Sequence, residues 1–154
     1  MGSGDVVDLL LDNSARINVS NEIGRTALME ASFVGNTEIV KVLRTKGAQI
    51  NSKDNNGGTP LIFAVLRDHR ATAQTLIDTD ANVNLSDREG RTPLMFAAAK
   101  GFVDMAQLLV KHGADLHAKS KLGETAMSMA KASGHGTLAL QLSDWANKGS
   151  RRSE

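Results

Sequence analysis

The sequence predicts an all-α solenoid, a stack of helix-turn-helix units joined by hairpin loops, on three observations. Glycine followed two residues later by threonine recurs every 33 residues, at Gly24/Thr26, Gly57/Thr59, Gly90/Thr92 and Gly123/Thr125, without an insertion or deletion. Each recurrence opens a matching apolar run, seen best in Gly57-Gly58-Thr59-Pro60-Leu61-Ile62-Phe63-Ala64 and Gly90-Arg91-Thr92-Pro93-Leu94-Met95-Phe96-Ala97. A second run with apolar residues at helical spacing follows, and in most units it closes on glycine. A chain that repeats at this period is built from units each too small to bury its own apolar face, so neighbours must stack.

Within each unit the glycine supplies a turn, and the threonine caps the free N–H groups of the first helical turn. Pro60 and Pro93, or Ala27 and Ala126, take the first helical position, where a missing donor costs nothing. Ala31, Ala64, Ala97 and Ala130 lie four residues on and let the neighbouring helix approach closely. The second helix is clearest at 38–43 and 103–110 and stops at Gly47-Ala48 and Gly113-Ala114, the usual left-handed stop. Ile50-Asn51, Val83-Asn84 and Leu116-His117 then lead into the next hairpin, where Asn56-Gly57 is a turn signal. The unit at 55–87 departs from its neighbours, with Asp68 and Asp80 where they have Gly35 and Gly101, and Gly47 and Gly113. Aspartate tolerates a left-handed backbone better than most residues, at some strain. The second helix of this unit, 71–77, also carries few large apolar groups, so residues 68–80 are expected to open before the flanking units.

The lines Thr-Pro-Leu and Gly-Ala-x-x-Asn at this period resemble ankyrin repeats, and the resemblance covers nearly the whole chain. It implies an ankyrin-repeat solenoid with protruding β-hairpin loops and a concave groove. The expected organisation is a vector remnant at 1–4 and a single domain at 5–147, followed by a polar tail at 148–154. The domain divides into a half repeat at 5–21 and repeats at 22–54, 55–87, 88–120 and 121–147. Two departures stand out. The family's histidine after Thr-Pro-Leu is replaced by Met29, Ile62, Met95 and Ser128, so its hydrogen bonds at the hairpin base are lost or made otherwise. Its second alanine is kept only at Ala98 and becomes Ser32, Val65 and Lys131 elsewhere.

The ends differ. The first begins with only a second helix, about 5–13, whose Val6-Val7-Asp8-Leu9-Leu10-Leu11 would normally lie under a preceding helix. A longer parent was cut here, or a partner covers this face; self-association through it, or contact with the rest of a longer parent, is the alternative to a foreign partner. Glu30 suits an uncovered end, because it stands where Phe63, Phe96 and Met129 face the previous unit. At the other end 137–145 reads as a closing helix, with Trp145 at its edge.

Most chemistries find no support. Eighteen Lys and Arg against seventeen Asp and Glu leave a net charge of +1, which argues against bulk phosphate binding. Nucleic-acid binding also wants stacking aromatics, whereas the chain has no tyrosine and Glu22, Glu89 and Glu124 interrupt its loop tips. No apolar run approaches the roughly 20 residues of a membrane span. Surface binding to a membrane would need basic residues where Asp5, Asp8 and Asp12 stand. There are no cysteines, and His69, His112, His117 and His135 fall at repeat-dictated or poorly spaced positions, so no metal and no cofactor is expected. No nucleophile elbow, phosphate loop or paired acid and base is recognisable, so an enzyme is not expected. An export signal is also missing from this reading, and the expected location is intracellular, in the cytoplasm.

The resemblance implies a protein-protein interaction module whose contacts come from the concave face formed by hairpin tips and the inner face of each first helix. Carried onto this chain, the contact residues are Glu22, Ile23 and Arg25; Phe33 and Val34; Asn55 and Asn56; Leu66 and Arg67; Arg88, Glu89 and Arg91; Lys100; Lys121 and Leu122. Ile23, Phe33, Val34 and Leu66 would anchor an apolar side chain, and Arg67, Arg88, Arg91 and Lys100 would fork onto carboxylates. The expected partner is a protein or peptide carrying an apolar anchor beside acidic residues.

Overall fold

In each repeat a threonine caps the start of the first helix. Thr26, Thr59, Thr92 and Thr125 sit in extended backbone and accept a hydrogen bond from the N–H three residues on. This satisfies a donor that the first helical turn would otherwise leave free. The first helices so begun are α1 (Ala27–Val34), α3 (Pro60–Leu66), α5 (Pro93–Lys100) and α7 (Ala126–Ala132). They alternate with the second helices α2 (Thr37–Thr45), α4 (Arg70–Asp78), α6 (Val103–Lys111) and α8 (Gly136–Ser150). The structure is a computed structural model that describes residues 16–150. The expected helix at 5–13 with its Val6-to-Leu11 face, the start at 1–4 and the tail beyond Ser150 lie outside the described residues.

Eight helices and no paired strand occur among the described residues, so the chain is an all-α repeat solenoid. The loops expected as β-hairpins are turns, with only an isolated bridge between Ser20 and Thr26. Each is closed at its base by one backbone bond, from Asn21 to Arg25, Asp54 to Gly58, Asp87 to Arg91 and Ser120 to Glu124, at 2.9–3.0 Å. A side chain does the rest. Asp54 Oδ1 accepts from the N–H groups of Asn56 and Gly58 at 2.9 and 2.7 Å, and Asn21, Asp87 and Ser120 hold the equivalent amides in their own loops. Amides bound this way need no strand partner. The bonds of the missing histidine are replaced at two sites. Ser128 Oγ accepts from Thr125 N at 2.9 Å and donates to Thr125 O at 3.0 Å, and Met29 Sδ lies 3.5 Å from Thr26 N.

The chain divides after Asn82 into two halves. In the first half α1 packs on α2 and α3, and α4 on α2 and α3. Leu28, Met29, Val40, Leu43, Leu61, Ile62 and Leu76 are almost wholly buried there. In the second half α5 packs on α6 and α7, and α7 on α8, over Leu94, Met95, Met105, Leu109, Leu138 and Leu142. Ala64, Ala97 and Ala130 are fully buried, as their small size at helix contacts requires. The repeated asparagine ties each turn to the next. Asn51 Oδ1 accepts from Asn82 N at 2.9 Å and its amide reaches Asp80 O at 3.4 Å; Asn84 does the same with Asp115 N and Gly113 O, at 2.8 and 3.0 Å.

Asp68 and Asp80 both adopt left-handed backbone, with φ of 56° and 74°. The turn geometry therefore overrides the residue preference and stores strain in this repeat. Helix α4 buries only Thr72, Ala73 and Leu76, whereas α6 buries Met105, Ala106, Leu108 and Leu109. Native-state amide exchange is expected to run faster across 68–80 than across 103–113. Asp68→Gly and Asp80→Gly should each add about 0.5–1 kcal/mol and slow exchange in α4. Equal exchange in the two segments would show that neighbouring repeats make good the deficit.

Candidate functional site

In the first half four side chains converge where α1 ends and the next repeat begins. The Phe33 and Phe63 rings meet edge to face, with centroids 6.2 Å apart and planes at 83°. The Arg25 guanidinium lies over both, 4.5 Å from the Phe63 centroid and 5.5 Å from that of Phe33, and Arg67 lies 4.6 Å from the Phe33 centroid. Phe33 is thus half-buried between two cations, each within cation–π distance of its ring. Loop chemistry puts Arg25 there. It leaves the hairpin closed by Asn21, and its charge is met by Glu30 at 3.3 Å and by the nearly buried Asp54 carboxylate at 3.9 Å. Arg67 follows the last turn of α3, is exposed, and takes no carboxylate among the described residues.

Behind the cluster, the His69 ring rests on Gly35 and its Nε2 lies 3.1 Å from Phe33 O. Gly35 has φ of +80°, and a β-carbon on it would stand 2.5 Å from the ring. Glycine at this position therefore serves the turn and makes room for the imidazole, which holds the end of α1 and with it Phe33. His135 occupies the same place against Gly101 in the second half. Neither contact was legible in the sequence, although the recurrence of histidine after two of the four equivalent turns, at His69 and His135, marked the position. Asp54 also escaped the sequence reading, and Phe63 was read only as a residue that faces the previous repeat. The signal for Asp54 was its recurrence as Asn21, Asp87 and Ser120.

The other expected contact residues are dispersed. Glu22, Ile23, Asn55 and Asn56 are exposed on the first-half loops, but the Asn55 amide is engaged with Glu22 O at 3.0 Å. Leu66 is half-buried at the end of α3. Val34 is 69% exposed, yet it lines a separate open hollow of about 380 Å³ with Ala27, Glu30, Ile39 and Leu43. In the second half Arg88, Glu89, Lys100 and Lys121 are exposed and Leu122 is 84% exposed at its loop tip. Arg91 is engaged, with Nη2 2.7 Å from Asp87 and its guanidinium 4.9 Å from the Phe96 centroid.

Among the described residues no helix is long and apolar enough to cross a membrane, and no group of three or more His, Asp or Glu is placed to hold a metal ion. A family model described as ankyrin repeats (3 copies) matches residues 1–87, and another described as ankyrin repeats (many copies) matches residues 76–130. No curated protein matches the chain. Such repeats are generally protein-protein interaction modules and are typically non-catalytic. With more than half of its length matched by the first of these models, the chain belongs to the ankyrin-repeat family.

Proposed function

We propose that the first half binds a protein or peptide through the face formed by Arg25, Phe33 and Arg67, and that the partner presents an apolar side chain beside acidic residues. One observation carries this reading. Arg67 is held over the Phe33 ring at 4.6 Å, exposed and without a carboxylate among the described residues. A guanidinium already resting against a ring loses less freedom when it forks onto a carboxylate, and the half-buried Phe33 and Leu66 side chains offer apolar contact. Ile23, 52% exposed on the first-half loop, offers a further apolar side chain. Glu22, Asn55 and Asn56 are rim contacts. Within the second half by itself, Arg88, Glu89, Arg91, Lys100, Lys121 and Leu122 form the corresponding set of proposed contacts, with Arg88, Lys100 and Lys121 as exposed cations suited to acidic groups.

The test is capture of the partner by the chain and by the double variant Phe33→Ala/Arg67→Glu. Loss of capture with helical content retained supports the assignment. Undiminished capture by the variant shows that the partner uses a different face.

A further inference from the structure

Asn56-Gly57 is the single asparagine-glycine pair of the chain, and it stands at a loop tip. The equivalent tips carry Ile23-Gly24, Glu89-Gly90 and Leu122-Gly123, so the pair belongs to this repeat alone. Gly57, with φ of +80°, has no side chain to screen its backbone nitrogen. Asn56 is exposed, and its side-chain amide takes no hydrogen bond among the described residues. Other asparagines are engaged. Asn21 Oδ1 accepts from the N–H groups of Ile23 and Arg25, Asn36 Oδ1 from that of Ile39, and the Asn55 amide donates to Glu22 O. Asn18, Asn51 and Asn84 tie successive turns together. Each of these six is also followed by a residue with a side chain.

We propose that Asn56 is a site of spontaneous deamidation, with water as its co-reactant. The Gly57 backbone nitrogen attacks Asn56 Cγ and closes a succinimide ring. The bond from Cγ to the side-chain nitrogen breaks, and that nitrogen leaves as ammonia with the proton given up by Gly57 N. Water then adds to one of the two ring carbonyls and opens the ring. Opening at Cγ leaves aspartate, whereas opening at the main-chain carbonyl leaves isoaspartate, with the side-chain methylene now in the backbone.

The turn governs the rate. Gly57 N–H donates to Asp54 O at 2.9 Å, so the nitrogen leaves this bond before it attacks. Asp54 Oδ1 reinforces the closed turn through the amides of Asn56 and Gly58, at 2.9 and 2.7 Å. Exposed turns open at far lower free energy than whole domains, and attack therefore proceeds from the folded chain. The product alters a contact between loops. Asn55 joins this loop to the preceding one, its N–H on Ile23 O and its side-chain amide on Glu22 O, both at 3.0 Å. Either product sets a carboxylate beside that join, and isoaspartate also lengthens the turn.

Incubation of the full chain at neutral pH and body temperature, followed by peptide mapping with mass spectrometry, reads the reaction. Position 56 is expected to lose its amide before any other asparagine of residues 16–150, and the net charge of the chain to fall from +1 to zero. Asp54→Ala should speed the conversion roughly tenfold, the scale of the turn hydrogen bonds it removes, with far-UV dichroism showing that the helices are retained. Asn56→Gln should abolish it, because glutamine closes the larger ring far more slowly. An Asn56 that stays intact in the folded chain while the guanidinium-unfolded chain converts overturns the inference. So does conversion that starts at another of these asparagines, or a rate that Asp54→Ala leaves unchanged.

Discussion

Gly35→Val is expected to lower the stability of the chain by about 3–5 kcal/mol, read as a shift of its urea-unfolding midpoint. Two separate costs add. A β-branched residue at φ +80° carries backbone strain of about 1–2 kcal/mol, and its β-carbon would meet His69 Nδ1 at 2.5 Å. The ring must then leave Gly35 and give up its contact with Phe33 O, now 3.1 Å from Nε2, which costs about 1 kcal/mol more besides the lost packing. Gly47→Val isolates the second part. Gly47 has φ of +87°, but a β-carbon there meets nothing within 4 Å, so only the strain remains. Equal losses in the two variants would mean that the histidine contact contributes nothing to stability.

The second large effect concerns binding. Phe33→Ala removes the ring on which Arg67 rests, and Arg67→Glu turns the same position against an acidic partner. Each change alone should raise the dissociation constant about 30-fold, the scale of a contact residue at the centre of an interface. The double variant should reach about 100-fold, short of the product of the two single effects, because the ring positions the guanidinium and the two changes remove a shared contribution. Titration calorimetry of the purified partner against the four proteins measures this. A full product of the two single effects would show that the residues act independently, and that the stack at 4.6 Å does not preorganise Arg67.

The repeat period made the fold legible because local chemistry at each step is self-sufficient. A glycine, a threonine cap and a proline or alanine define a first helix wherever they recur, and the caps on Met29, Ile62, Met95 and Ser128 formed at all four positions. Even the departures were readable. Asp68 and Asp80 replaced glycines and kept the left-handed turn, because the packed helices on either side dictate the backbone there. The loops were less legible, since an asparagine, aspartate or serine binding two amides does the work expected of a strand ladder.

The candidate site was legible as a set of positions, and its internal contacts were not. Phe33 and Arg67 were marked by register alone, and register set Phe63 towards the previous repeat, yet it did not single out the Phe33 ring as what Phe63 meets or place Arg25 on both rings. Val34, adjacent to Phe33 in sequence, lines another hollow because successive helical residues diverge by about 100°. Contacts between repeats depend on residues some 33 positions apart, and a single repeat cannot reveal them.

Photo-crosslinking from chosen positions of the first half tests the central claim most directly. A photoreactive residue placed at Ile23 or Arg67 should join the chain to its partner, whereas one at Lys41, exposed on α2 and paired with Glu38 at 2.8 Å, should not. Strong crosslinking from position 41 with none from positions 23 and 67 would contradict the account, because the partner would then lie on the second helices, away from the Arg25, Phe33 and Arg67 face.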